Sequence, residues 1–195
     1  MARDRASRPE ARPLRLFVAV DIPAAVRDGL EDAVETLRER VGNARWVPPQ
    51  NWHVTMKFLG STWPRLLDRV REACAGVASS HRPVETRLTG LGAFPSERRA
   101  RVLWAGLDDP EERLSAIANA LDRALAPDFK TEKRAFTAHL TVARLQPARP
   151  VGEAMVGLDP RSKSFPIEGL VLYQSHLQRP APRYEPVEEF PLSGR

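Results

Sequence analysis

Two short segments, His53-Val54-Thr55-Met56-Lys57 and His139-Leu140-Thr141-Val142-Ala143, each set a threonine two positions after a histidine. The chain holds only four histidines, so half of them carry this spacing. Residues i and i+2 of an extended strand share a face. The predicted strands therefore present His53, Thr55 and Lys57 on one side and Val54, Met56 and Phe58 on the other. In the second copy His139, Thr141 and Ala143 oppose Leu140 and Val142. Each strand thus has an apolar face for a core and a His/Thr face free to line a groove. An imidazole titrates near about 6.5, so at neutral pH one ring can be neutral while another is protonated. One can take a proton from water while the other gives one to a leaving oxygen. Threonine hydroxyls can hydrogen-bond the non-bridging oxygens of a phosphate held between them. In-line attack at phosphorus needs base and acid on opposite sides, the geometry a pseudo-two-fold pair supplies.

Other chemistries lack their residues. There is no Cys-x-x-Cys, His-x-His or His-Glu-x-x-His spacing for zinc. Gly90-x-Gly92 has neither the third glycine nor the lysine-serine ending of a phosphate loop. No Gly-x-Ser-x-Gly elbow is present. Metal-free acid–base chemistry remains, with no cofactor expected. The single cysteine, Cys74, excludes an internal disulfide framework and falls at helical spacing among Leu66, Leu67, Val70, Ala73 and Val77, as a buried structural residue would.

The elements that must position these residues recur. Leu14 to Val20 reads as a buried strand, followed after Pro23 by a helix bearing Val26, Leu30, Val34, Leu37 and Val41. A turn-rich link, Val47 to Asn51, leads to the first His-x-Thr strand, and Ser61 to Pro64 starts the Cys74 helix. Arg87 to Leu91 is a further strand. Then the order repeats. Val102 to Leu107 is a strand, Leu114, Ile117, Leu121 and Leu125 mark a helix, and Phe136 to Leu145 holds the second motif. A short helix over Ala148 to Val156 and a strand over Gly169 to Leu177 follow. His53 and His139 lie 86 positions apart (139 − 53), as do Leu16 and Val102, and Ala19 aligns with Ala105. Two copies are too few for a solenoid. The expected architecture is α+β: two pseudo-symmetric lobes, each a small antiparallel-rich sheet with outer helices, facing across a central groove.

A chain of 195 residues with 42% hydrophobic and 28% charged residues fits a soluble globular fold. Its longest clean apolar run, Leu16 to Val20, is far short of the roughly 20 residues a membrane helix needs. The first residues lack the apolar stretch of a secretory signal. A cytoplasmic monomer with no membrane partner is expected. The net charge of +5 hints at a polyanion, but much of the excess sits among Arg3, Arg5, Arg8, Arg12 and Arg15. Residues 1–13 read as a disordered basic tail, leaving 14–195 as one bilobal domain.

The paired His-x-Thr strands resemble the two-histidine phosphoesterase superfamily. More narrowly, "RLFVAVDIP", "RWVPPQNWHVTMKFLG", "GLGAFPSERRARVLWAGL" and "HLTVARL" resemble the bacterial RNA 2′,3′-cyclic phosphodiesterases, historically called 2′-5′ RNA ligases. The likeness runs from Leu14 to Leu145 and more weakly from Tyr184 to Leu192. It departs at Ala138, where members often carry proline, a difference that bears on how the second strand begins. The resemblance implies metal-independent hydrolysis of an RNA end or small nucleotide bearing a 2′,3′-cyclic phosphate to a 2′-phosphate, with 2′-5′ ligation as a secondary, reverse-type reaction. It implies His53 as proton donor to the leaving 3′ oxygen and His139 as proton acceptor from water, with Thr55 and Thr141 on the phosphate. The residues alone allow either assignment of the two histidines. A non-catalytic RNA-binding module that keeps the groove without the chemistry is the alternative.

Among secondary positions, Arg144 has the parity of the apolar face, yet it completes the His-Leu-Thr-x-x-Arg pattern of the family and is a candidate substrate ligand. Phe17 shares a strand face with Arg15, Ala19 and Asp21. It can stack on a base or pack in the core. Trp46 and Trp104 read as core. Arg98-Arg99-Ala100-Arg101 reads as a solvated loop, with an RNA-backbone contact as the other option. His81 and His176 lack the following threonine and are given no role.

Overall fold

Apolar residues on alternate and then on every position make β1 (Leu14–Asp21), whose Leu16 to Val20 are all buried. The computed structural model describes residues 12–194; the expected basic tail lies outside the described residues except for Arg12 and Pro13. After Pro23 comes α1 (Ala24–Val41), which buries Leu30, Val34 and Leu37. Gly42, at φ +69°, ends it in the left-handed region that glycine enters at least cost. The two-residue β2 (Arg45–Trp46) and a single 3₁₀ turn lead to β3 (His53–Thr62), then α2 (Leu67–Ser79), β4 (Val84–Thr86), β5 (Leu88–Phe94) and β6 (Ala100–Leu107). The second half continues with α3 (Arg113–Leu125), β7 (His139–Arg149), α4 (Gly152–Met155), β8 (Phe165–Ile167), β9 (Gly169–His176) and β10 (Arg183–Pro191).

The expected α+β class holds, with a join between the lobes that the sequence did not reveal. Eight strands form one antiparallel sheet in the order β10-β9-β1-β3-β7-β6-β5, with β2 added alongside β7. The two halves, β10-β9-β1-β3 and β7-β6-β5, meet through a single residue pair, Val54 opposite Leu140. β1 and β6 are equivalent under the 86-residue shift, as are β3 and β7, and β9 and β5 occupy matching outer places. The helices cross over. α3, which follows β6, packs on β3 and α2 beneath the first half. α1, which follows β1, packs on α4. It is fastened there by Arg40, which donates to the carbonyl of Val156 at 2.7 Å, and by Arg149, which donates to the carbonyl of Val41 at 3.1 Å.

A paired irregularity corrects the expected alternation. Val18 lies opposite Lys57 but Ala19 lies opposite Thr55, so Met56 is an extra residue in β3. Likewise Leu103 lies opposite Ala143 but Trp104 lies opposite Thr141, making Val142 extra in β7. Met56 and Val142 are themselves equivalent positions of the repeat. A bulge of one residue inverts the parity beyond it. Lys57 and Ala143, expected beside the His/Thr pairs, turn inward and are 2% and 0% exposed. Phe58 and Arg144 turn outward instead. The buried ammonium of Lys57 donates to the carboxylate of Asp122 on α3 and to the carbonyl of Lys130 at 2.7 Å. Burial pushes the Asp122 carboxyl up, but Lys57 and the Glu132 N–H outweigh it and hold the pKa below the usual value.

Candidate active site

Each histidine is the first residue of its strand, and each is held in the same way. His53 Nδ1–H donates to the carbonyl of Asn51 at 2.8 Å, and His139 Nδ1–H donates to the carbonyl of Thr137 at 2.7 Å. Asn51 and Thr137 are again equivalent in the repeat. A carbonyl only accepts, so in both neutral rings the proton sits on Nδ1 and Nε2 is left to act. His53 Nε2 lies 3.1 Å from the Thr55 hydroxyl. Continuing the Val54–Leu140 register one step either way sets Thr141 opposite His53 and His139 opposite Thr55. The thin seam between the two half-sheets is therefore the floor of the site. Ala138, the departure from the family pattern, leaves the start of β7 in place: its carbonyl accepts the Leu107 N–H at 2.9 Å.

A groove of about 470 Å³ opens over this seam, and it brings together His53, Thr55, His139, Thr141, Arg144 and Phe17, all the residues singled out from sequence. Arg144 reaches it because of the β7 bulge. Phe17 is only 4% exposed; its ring lies against His53 at 4.8 Å and Tyr173 at 5.3 Å, the core-packing one of its two readings. The open aromatic face is Phe58, 46% exposed, with the Arg15 guanidinium 4.7 Å from its ring centroid. Arg15, Arg45, Phe58 and Tyr184 are groove residues that sequence reading missed. Arg15, Arg45 and Phe58 fall inside the segments that carry the family likeness, and Tyr184 opens its weaker stretch, so each had that signal without a role attached to it.

The histidines sit in different aromatic surroundings. Tyr184 meets His53 edge-on at 5.3 Å, while Phe94 meets His139 edge-on at 5.0 Å. Trp104, 6.1 Å from His139, packs on Gly92, where a Cβ would come within 2.2 Å of the indole. Behind His53, the Tyr173 hydroxyl donates to both carboxylate oxygens of Asp21 at 2.8 and 3.0 Å. Burial and that carboxylate push the Tyr173 phenol above its ordinary value, so it stays a donor.

Burial lowers the His53 pKa to about 4, against the opposing pull of the Asn51 carbonyl and Asp21. Burial also lowers that of His139, with the nearby Arg144 guanidinium adding to the effect and the Thr137 carbonyl opposing it. The His53 ring is then neutral at pH 7 in the free protein, and the His139 ring is shifted in the same direction. An anion between them favours the protonated form. The His53 ring is expected to titrate near about 4 in the free protein and to shift upward when inorganic phosphate fills the groove. Nitrogen-detected NMR spectra across pH, with and without phosphate, test this. A pKa that phosphate leaves unchanged would show that the ring does not face the anion.

Among the described residues, no three His, Cys, Asp or Glu side chains converge as a metal-ligand set. No helix among them is long and apolar enough to cross a membrane.

The profile of the family described as LigT like Phosphoesterase matches residues 20–104 and 107–184. The chain belongs to this family. A Thermus thermophilus RNA 2′,3′-cyclic phosphodiesterase is 32% identical over 192 residues, covering 93% of this chain and 91% of its own. A Geobacillus stearothermophilus protein of the same name is 29% identical over 186 residues, 91% of this chain. This chain spans 57% of that relative's length. Among solved structures, TT0787 of Thermus thermophilus superposes with a TM-score of 0.79 at 29% identity, over 93% of this chain and all of that one. The LigT-like likeness thus embraces both His-x-Thr strands and the groove between them.

Proposed function

We propose that this LigT-like phosphoesterase hydrolyses a 2′,3′-cyclic phosphate at an RNA end, or on a small nucleotide, to a 2′-phosphate. The observation that carries the reading is the duplicated histidine setting: two rings, each fixed by a carbonyl two residues earlier, with both Nε2 atoms left to act in one groove that Thr55 and Thr141 also line. The names of the relatives support the substrate class. His139 takes the proton of an attacking water as its oxygen bonds to phosphorus. The P–O3′ bond breaks on the far side, and His53 delivers a proton to the departing 3′ oxygen. Thr55 and Thr141 hold non-bridging oxygens, and the Arg144 guanidinium balances the phosphate charge. Phe17 stiffens His53 by packing on it. Ligation through a 2′-5′ bond is the same displacement with an RNA 5′-hydroxyl in place of water, and its reverse cleaves that bond and restores the cyclic phosphate. A groove that bound RNA without chemistry would not need both histidines held in one tautomer. We place the reaction in the cytoplasm and in a monomer.

EDTA-treated protein incubated with a 2′,3′-cyclic nucleotide tests this directly. Undiminished turnover and a 2′-phosphate, resolved chromatographically from its 3′ isomer, are expected. A requirement for a divalent ion would end the two-histidine mechanism, and a 3′-phosphate would reverse the substrate between the rings.

A further inference from the structure

A second groove of about 610 Å³ adjoins the first and shares two of its residues, Arg45 and Arg144. Arg101 lines it as well, with Gln146, Pro147 and Ala148 along its wall. Arg45 on β2 stands directly opposite Arg144 on β7, and Val102, next to Arg101, stands opposite Arg144 on its other side. Like charges facing each other across a ladder are destabilising. Among the described residues none of these three guanidiniums has a carboxylate within ion-pair distance. All three side chains are exposed. A repulsive cluster with no internal counterion is complementary to an anion with several charges at regular spacing.

We infer that this second groove binds the phosphodiester backbone of the RNA strand that lies 5′ of the terminal cyclic phosphate. The inference rests on the function proposed above for the first groove and extends it to a strand. Its lining differs in kind from that of the first groove: it contains no aromatic ring on which a base could stack and no acidic residue. Guanidiniums recognise phosphates through charge-assisted bonds, and such contacts position a strand without reading its sequence. A cyclic mononucleotide occupies the histidine groove alone. A strand continues over Arg45 and Arg144 to Arg101. Arg101 thus belongs to a binding surface rather than to the solvated loop its sequence suggested.

Arg101→Ala, compared with Arg82→Ala, separates these possibilities. Arg82 is exposed and lines neither groove, so it controls for loss of one charge. With a 2′,3′-cyclic mononucleotide both variants should match the parent protein. With a short single-stranded RNA ending in a 2′,3′-cyclic phosphate, Arg101→Ala should lose roughly tenfold in kcat/KM at low salt, mostly through KM. The slope of log affinity against log salt should fall by about 0.7, the value for one phosphate contact on a single strand. Arg101→Lys should recover most of the loss. Fluorescence anisotropy of labelled RNA bearing a terminal 2′-phosphate reads the same surface without turnover. Equal RNA affinity and equal salt slope in Arg101→Ala and the parent would overturn the inference, while mononucleotide hydrolysis would leave the proposed reaction standing. Absence of hydrolysis on either substrate, with the anisotropy change intact, would overturn the reaction and retain the RNA surface.

Discussion

Replacing His53 or His139 by alanine is expected to cost roughly 10² to 10⁴ in kcat, the usual range for one acid–base group. Each imidazole is the residue whose Nε2 faces the groove, and each has its other nitrogen committed to a carbonyl. The double variant should lose less than the product of the two single losses, because the first removal already breaks the concerted proton path. Thr55→Ala and Thr141→Ala should be milder, since each deletes one hydrogen bond to phosphate and leaves proton transfer possible. His81, whose Nδ1 bonds the Val77 carbonyl away from the groove, serves as control and should keep nearly full activity as alanine. The rate should also peak between two apparent pKa values that belong to the pair. Single-turnover rates on folded variants decide the matter. Near-parental rates in both single variants would falsify the acid–base assignment.

The second large effect concerns stability. Asp122→Ala should destabilise the fold by about 3–5 kcal/mol, because it strands the Lys57 ammonium, whose side chain is 1% exposed, without its partner. For a chain of this size that corresponds to a fall of about 6–20 °C in Tm. Lys57→Met removes the charge along with the need for a counterion. It should cost little by comparison, and the pair of Lys57→Met with Asp122→Ala should be closer to Lys57→Met than to Asp122→Ala. Calorimetry or denaturant melts of the three variants check the order. Equal losses in both single variants would mean that the pair acts through packing rather than charge.

Much of this was legible in the residues. The helix faces Leu30-Val34-Leu37 and Leu114-Ile117-Leu121-Leu125 lie on a 3.6-residue period and are buried where that period puts them. The repeated His-x-Thr led to one groove because the repeat itself fixes equivalent places on equivalent strands. The bulges were not legible. Met56 and Val142 are apolar, so binary patterning reads through an inserted residue without a break, and Lys57 looked like a groove cation. β10 was missed for a different reason: it is an edge strand with Glu185, Pro186, Glu188 and Glu189, which guard an edge and erase the alternation that marks a strand. Period also tells which face of a helix is buried but not what covers it, so the crossing of α1 and α3 had no signal. Nor did the single Val54–Leu140 pair that joins the half-sheets.

The pairing of β1 with β9 carries a consequence for how the protein comes into being. The strand at residues 14–21 finds its outer neighbour only at residues 169–176, and that neighbour is completed by residues 183–191. The first histidine's half-sheet is therefore closed by segments that leave the ribosome after the second histidine has already emerged. Until then β1 keeps an unpaired edge, although α3, at residues 113–125, has already been made and can cover β3 from beneath. Such distant pairings carry a large loop-closure cost and slow the search for the native state. The first repeat therefore keeps an open strand edge through most of translation, and a chaperone that shields strand edges is expected to act there rather than on the second repeat.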